Sequence, residues 1–390
     1  MSTLTRVPLY EPDFAQDPHA SYRRMRAQFG PLVPVDLAPG VPATLVVSYE
    51  PARRILSDPQ RFPADPRRWQ STVPDTCPIR PMMEYRPNAL RSAGAEHARY
   101  RAANVAALQA VDQHALRDHV EAVAAQTIDA FQATGKADLL SQYAWPIAFQ
   151  TLSHLLGCPD EVGNRIADGM SKIFDGINAS IGNQILAQAA ADLVTLRRAR
   201  PGDDVTSRLI AHGAGLDDAE MSHQLITLYG AGIEPLTNLI ANTLLEMLAN
   251  ADFSGNLHAG EASVREALDT VLYRDPPLAN FSMSYPPRPA DVGGYLLPAD
   301  QPVVISYAAC NNDPDLGTQS LGNRAHLAWG AGPHGCPASS HAYLIAEAAI
   351  RHVLDALPEM DLSVRREDLI WRPGPFHRSL TNLPVIFPLV

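Results

Sequence analysis

Hydrophobic and polar positions recur with two periods along this chain, and the changes of period mark its elements. PHASYRRMRAQFG has helical spacing and closes on Gly30, ATLVVSY carries the β-branched run of a strand, and EPARRILSD returns to helical spacing. A small mixed sheet with helices leaning on it is the expected opening. From Ala93 to Leu272 the pattern is mostly helical, with breaks at GCPDE, RPGDD and HGAGLDD where loops are expected. In the strand-and-turn region that follows, VGGYLLPADQPVVISYAA sets two β-rich segments on either side of PAD. Further on, Ala338, Ala342, Ile345, Ala349 and Val353 share one apolar helix face. No repeat, low-complexity tract or charged linker divides the sequence. One large domain over residues 1–390, mainly α with small β-sheets (α+β), is the expected fold class.

Composition then narrows the functions. With 390 residues, 46% of them hydrophobic, the chain can bury a large core. Forty-two acidic residues against 31 basic ones give a net charge of −11, which argues against nucleic-acid binding through phosphate neutralisation. MSTLTRVPLYEPDFAQDP lacks the apolar core of a signal peptide, and no later run approaches the roughly 20 apolar residues of a membrane span. A cytoplasmic protein without a membrane anchor is therefore expected. Cys77, Cys158, Cys310 and Cys336 contain no close pair, so neither a disulfide framework nor a structural zinc site is expected. Any special cysteine must act singly.

Cys336 is the candidate. In WGAGPHGCPASSHA it precedes the apolar helix face, with Cys336 expected at the N-cap and Pro337 at the first helical position. The positive end of a helix dipole favours a thiolate there, suited to a nucleophile, a redox thiol or a metal ligand. Gly330, Gly332 and Gly335 let the backbone before it turn tightly. A small buried residue at a helix start is the plain alternative.

WGAGPHGCPA resembles the haem-binding loop of the cytochrome P450 family, whose pattern is an aromatic residue followed by GxGxHxC. The resemblance implies haem b as cofactor, Cys336 as the axial thiolate ligand of its iron and His334 as a propionate contact. GAEHARYRAANVAAL is similar to the family's third helix and implies that His97 and Arg101 bind propionates. LVVSYEPARRILSDPQRF, VGGYLLPADQPVVISYAACNNDP, NRAHLAWG and RPGPFHRSLTNLPVIF extend the similarity in order over nearly the whole chain. It implies a long central helix over the haem, here HQLITLYGAGIEPLTNLIANTLLEML, opened by a capping box from Asp217 to Glu220. Ala231, Gly232 and Glu234 match the family's AGxE/D motif at the oxygen-binding position. PMMEYRPNALRSAG, with Met82, Met83 and Tyr85, stands where members build their substrate roof; an ordered surface loop is the alternative.

Three departures stand out. Pro235 occupies the place of the motif's threonine and is expected to kink the helix, while Thr237 lies about 200° around it. Aligning VREALDTVLYRDPP on its twin prolines puts Thr270 and Tyr273 where the family has the glutamate and arginine of ExxR, and a neutral hydrogen bond between them is the expected substitute. Pro337 offers no N–H to the Cys336 sulfur, which implies a more electron-rich thiolate. The resemblance implies a monooxygenase that oxidises a small or medium apolar metabolite with O2 and electrons from a ferredoxin and its reductase. A peroxide-driven or rearranging enzyme and a non-catalytic haem protein are the alternatives.

Overall fold

Strands buried on both faces read as continuous apolar runs rather than alternating ones, and the main sheet is built around such a run in Val303–Ser306, VVIS, buried along its whole length. Its strands are β1 (Val7–Pro8), β2 (Leu32–Ala38), β3 (Val41–Val46), β4 (Asn280–Ser284) and β5 (Val303–Ser306), in the spatial order β1-β2-β3-β5-β4. β2 and β3 are antiparallel with Val35 opposite Ala43, while β3 and β5 are parallel with Leu45 opposite Val304. The pleat sends Val35, Leu45 and Val304 into one apolar cluster and Val46, Val303 and Ile305 into another. The computed structural model describes residues 5–174, 179–250, 263–317 and 323–389. The helical expectation between Ala93 and Leu272 thus lies outside the described residues at 175–178 and 251–262.

The two β-rich segments flanking PAD part company. Tyr295–Leu297 pairs with Ala290–Val292 across Gly293 and Gly294, both at positive φ as a tight hairpin turn requires. Val303–Ser306 enters the main sheet instead. Between them Asp300 takes φ 53 and its N–H donates to the Pro286 carbonyl at 2.8 Å, a turn that redirects the chain.

Four helices carry the candidate residues: α1 (Gly94–Gln109), α2 (Asp218–Ala249), α3 (Val264–Arg274) and α4 (Ser339–Ala356). Packing groups the chain into two compact units. The first is drawn from Met1–Tyr85, Asn238–Cys336 and Asp361–Ile386, and the second from Arg86–Thr237, Pro337–Met360 and Phe387–Val390. The first contains the main sheet and α3; the second contains α1 and α4. Among the described residues no helix is long and apolar enough to cross a membrane.

In the first unit's C-terminal segment, Arg372 Nε donates to His377 Nε2 at 3.2 Å, which requires a neutral imidazole. Burial pushes the His377 pKa from 6.5 down to about 3, and the Arg372 charge adds to the shift. Between these values the unfolded chain binds the extra proton, so this contribution is present above pH 6.5 and lost as pH falls toward 3. The urea midpoint is expected to fall across that window, and to fall less steeply in His377→Gln, whose side-chain oxygen can still accept from Arg372.

Candidate active site

The first unit supplies a closed thiol loop. The Gly330 N–H donates to the Leu327 carbonyl at 2.7 Å, Gly335 to Gly332 at 3.1 Å, and Cys336 to Trp329 at 2.7 Å. Gly330 and Gly332 sit at φ +68 and +65, where side chains are strained. Gly332–His334 forms a 3-10 turn against helix Tyr49–Ser57, and a Cβ on Gly332 would sit on the Leu56 carbonyl oxygen. The loop holds the Cys336 thiol exposed at its end, with His334 partly buried two residues before it.

Tyr307, which sequence reasoning passed over as the end of VVISYAA, supports the same loop. A Cβ on Gly330 would lie 3.5 Å from its hydroxyl, and that hydroxyl is hydrogen-bonded to Ser282. Burial pushes the Tyr307 phenol up to about 12, the Cys336 charge adding a smaller push, so it stays protonated at neutral pH.

The helix after the thiol begins later than expected. Ala338, at φ −110 and ψ 14, departs from helical backbone and serves as N-cap, so α4 opens at Ser339 and Cys336 lies two residues ahead of the cap. The other cysteines are shielded in varying degree: Cys310 is fully buried and donates to the Val46 carbonyl at 3.4 Å, Cys77 is buried and Cys158 half-buried. No group of three or more metal-ligating side chains occurs among the described residues. A single exposed thiol on a braced loop offers one soft donor, which would suit a metal that brings its other ligands with it, as haem iron would.

The second unit positions His97 and Arg101 four residues apart on α1, on one face. His97 is 7% exposed, and burial together with the Arg101 charge holds its imidazole below the usual range. It is therefore neutral at physiological pH and carries a single ring N–H. Glu220 ties α1 to the start of α2: Arg99 forms an ion pair with it and Tyr100 Oη donates to its Oε1 at 2.8 Å. These two contacts hold its carboxyl below the usual range, that with Arg99 more strongly. Glu220 also completes the expected capping box, the Glu220 N–H donating to Asp217 Oδ1 at 2.8 Å and the Asp217 N–H to Glu220 Oε2 at 3.1 Å. Deeper in, Asn104 Nδ2 donates to Gln224 Oε1 at 3.0 Å, and Gln224 Nε2 to the Pro87 carbonyl at 3.1 Å.

Along α2, Ala231 is exposed and Gly232 and Glu234 are partly buried. A Cβ on Gly232 would come within 2.6 Å of Leu152 Cδ2, so glycine lets α2 approach helix Trp145–Leu155. Pro235 does not end α2, which runs on to Ala249. Thr237 is buried at 5% exposure, and its Oγ1 has no hydrogen-bond partner.

Two other expectations resolve differently from one another. Met83 is fully buried in the first unit's core, whereas Met82 is 39% exposed and the Tyr85 ring lies under the Arg67 guanidinium at 4.4 Å. The neutral bond between Thr270 and Tyr273 is absent. Thr270 Oγ1 donates within α3 to the Glu266 carbonyl at 2.7 Å, and Tyr273 packs edge-on against His326.

No protein-family model matches the chain. Whole-protein similarity is extensive. The cytochrome P450 monooxygenase PikC of Streptomyces venezuelae is 29% identical over 96% of this chain and 92% of its own length. The 2-hydroxy-5-methyl-1-naphthoate 7-hydroxylase of Streptomyces carzinostaticus is 28% identical over 95% of each. Among solved structures, CYP154C4 from Streptomyces sp. W2061 superposes with a TM-score of 0.89 at 26% identity, covering 98% of both chains.

Proposed function

We propose that this chain, which belongs to the cytochrome P450 family and takes haem as its cofactor, is a monooxygenase acting on a small or medium apolar metabolite. The observation that carries this reading is the closed loop that presents Cys336. When bound, haem supplies the activation of dioxygen and the oxidation of a C–H bond. Cys336 Sγ would hold the iron. His97 would donate a ring N–H to a propionate, and Arg101 and His334 would complete propionate binding. In α2 the Ala231 carbonyl receives no intrahelical bond from residue 235, because proline has no N–H, and so it can accept from a bound hydroxyl or water. Glu234 holds or releases a proton beside it, and Gly232 keeps the helix close to Leu152. A ferredoxin and its reductase deliver the electrons, and the chain works as one haem domain in the cytoplasm, with no nucleic-acid partner.

The test is the absorption spectrum of the reduced carbonyl complex, prepared once with dithionite and once with ferredoxin and reductase. The long-wavelength Soret band of a thiolate-ligated haem, reached by both routes, is the expected result. A band reached with dithionite alone would favour the peroxide-driven reading, to which Pro235 lends support because peroxide already carries the protons that the missing threonine would relay. Pro235→Thr is therefore expected to raise dioxygen-dependent product per electron consumed by several-fold, within the roughly 10²-fold attributable to one proton-transfer group. The check is product formed against NADPH oxidised; an unchanged ratio alongside undiminished peroxide turnover would support the second reading. Absence of product by either route would leave a haem protein without turnover.

A further inference from the structure

The segment entering the thiol loop is fastened to α3 residue by residue. Asp269 of α3 is only 2% exposed, an uncommon place for a carboxylate. Arg324 Nε lies 2.8 Å from its Oδ2, and Arg265 Nε lies 3.8 Å from its Oδ1. Two residues after Arg324, the His326 ring stands edge-on to Tyr273 at a centroid distance of 6.4 Å. The Leu327 N–H donates to Asn311 Oδ1 at 2.8 Å, and Asn311 Nδ2 donates to the Leu272 carbonyl at 3.1 Å. Asn311 is fully buried. Leu327 then accepts the Gly330 N–H at 2.7 Å, the first bond of the thiol loop. Arg324 and His326 thus meet α3 at Asp269 and Tyr273, one turn apart, and Asn311 links the Leu272 carbonyl to Leu327, whose carbonyl is bonded to the loop.

We propose that Asp269, Arg324 and Asn311 form a positioning clamp that sets the register of the chain entering the loop, and through it the position of Cys336 Sγ. A buried carboxylate is a poor device for stability alone, since apolar side chains of similar size usually serve as well. It does discriminate between registers, because a slip of one residue leaves Asp269 buried without the cation at 324. The clamp takes over the task of the missing ExxR pair with its carboxylate one residue earlier on the helix. Arg324 is 62% exposed at its side chain, so the cation is reachable by solvent and salt while the anion is not.

The inference rests on Cys336 being the iron ligand, and the experiment separates the two. In the reduced carbonyl holoenzyme, the rate at which the thiolate-type Soret band converts to the short-wavelength form is measured for Arg324→Ala, Arg324→Lys, Asp269→Asn and the Arg324→Ala/Asp269→Asn double variant. Arg324→Ala removes an exposed side chain and leaves the core packing intact. Conversion is expected to accelerate roughly fivefold in each of Arg324→Ala and Asp269→Asn, and no further in the double variant, as for a coupled pair. Arg324→Lys should fall between these and the parent. Raising the salt concentration should accelerate the parent and leave the double variant unchanged. Parent-like rates in both single variants, or effects that add, would overturn the clamp while the parent band itself upheld Cys336. A parent spectrum retained in Cys336→Ala would overturn both.

Discussion

Cys336→Ala is expected to bind no haem with a thiolate-type spectrum: the long-wavelength Soret band of the reduced carbonyl complex disappears altogether. The remaining cysteines are buried or half-buried and are poor replacements for the sulfur. Cys310 is fully buried and committed to the Val46 carbonyl, and burial pushes its thiol well above the usual range, so it gives no thiolate at neutral pH. Burial raises the Cys158 thiol as well. On the proposed reading thiolate ligation would set the electron density at the iron, so turnover is expected to vanish along with the band. The check is the carbonyl difference spectrum of the purified variant beside far-ultraviolet circular dichroism. A folded variant that kept the band would remove Cys336 from the iron.

Gly332→Ala should be the most damaging change that adds a single methyl group to the loop. Two penalties act together. A non-glycine residue at φ +65 costs about 1 kcal/mol or more, and a Cβ placed on the Leu56 carbonyl forces a backbone shift that adds about 1–3 kcal/mol. The loop must then move away from helix Tyr49–Ser57, and the position of Cys336 moves with it. We expect about 2–5 kcal/mol less stability in urea unfolding and at least half of the haem lost on gel filtration. Gly40→Ala isolates the first penalty. Gly40 has φ +73 with nothing within 4 Å of a Cβ, so its cost should stay near 1 kcal/mol with haem content unchanged. Equal losses at the two sites would show that the close approach to Leu56 contributes nothing.

Much of the fold and of the loop was legible because the signals are local. The capping box needs only Asp217 and Glu220, three residues apart, and it forms as read. The glycines of WGAGPHGC announce a tight turn by composition, and the turn is there. What escaped depends on partners far along the chain. Asp269 reads as an ordinary helix charge until Arg324, 55 positions later, is set against it. Looking for ExxR at one fixed register found Thr270 and Tyr273 and stopped one residue short of the buried acid. The same holds for Val303–Ser306, whose neighbours are β3 and β4 and not the nearby hairpin, and for Tyr307, whose task appears only when Gly330 is set beside it. The late start of α4 is subtler, since proline chemistry permits either start and the backbone at Ala338 decides.

The first unit's construction from three separated stretches also bears on the order in which the molecule can assemble. Its β3 strand pairs in parallel with β5, Thr44 standing opposite Val303, and Arg378 reaches back to the Ala15 carbonyl. Neither contact can form while the ribosome is still synthesising the middle of the chain. The β2–β3 hairpin must therefore wait, with the apolar face of Val33, Val35, Ala43 and Leu45 uncovered, until the distant stretches emerge, whereas Arg86–Thr237 is continuous and can begin to organise at once. Slow synthesis or a truncated C-terminus would lengthen the exposure of those strands, making nascent-chain aggregation the hazard built into this topology.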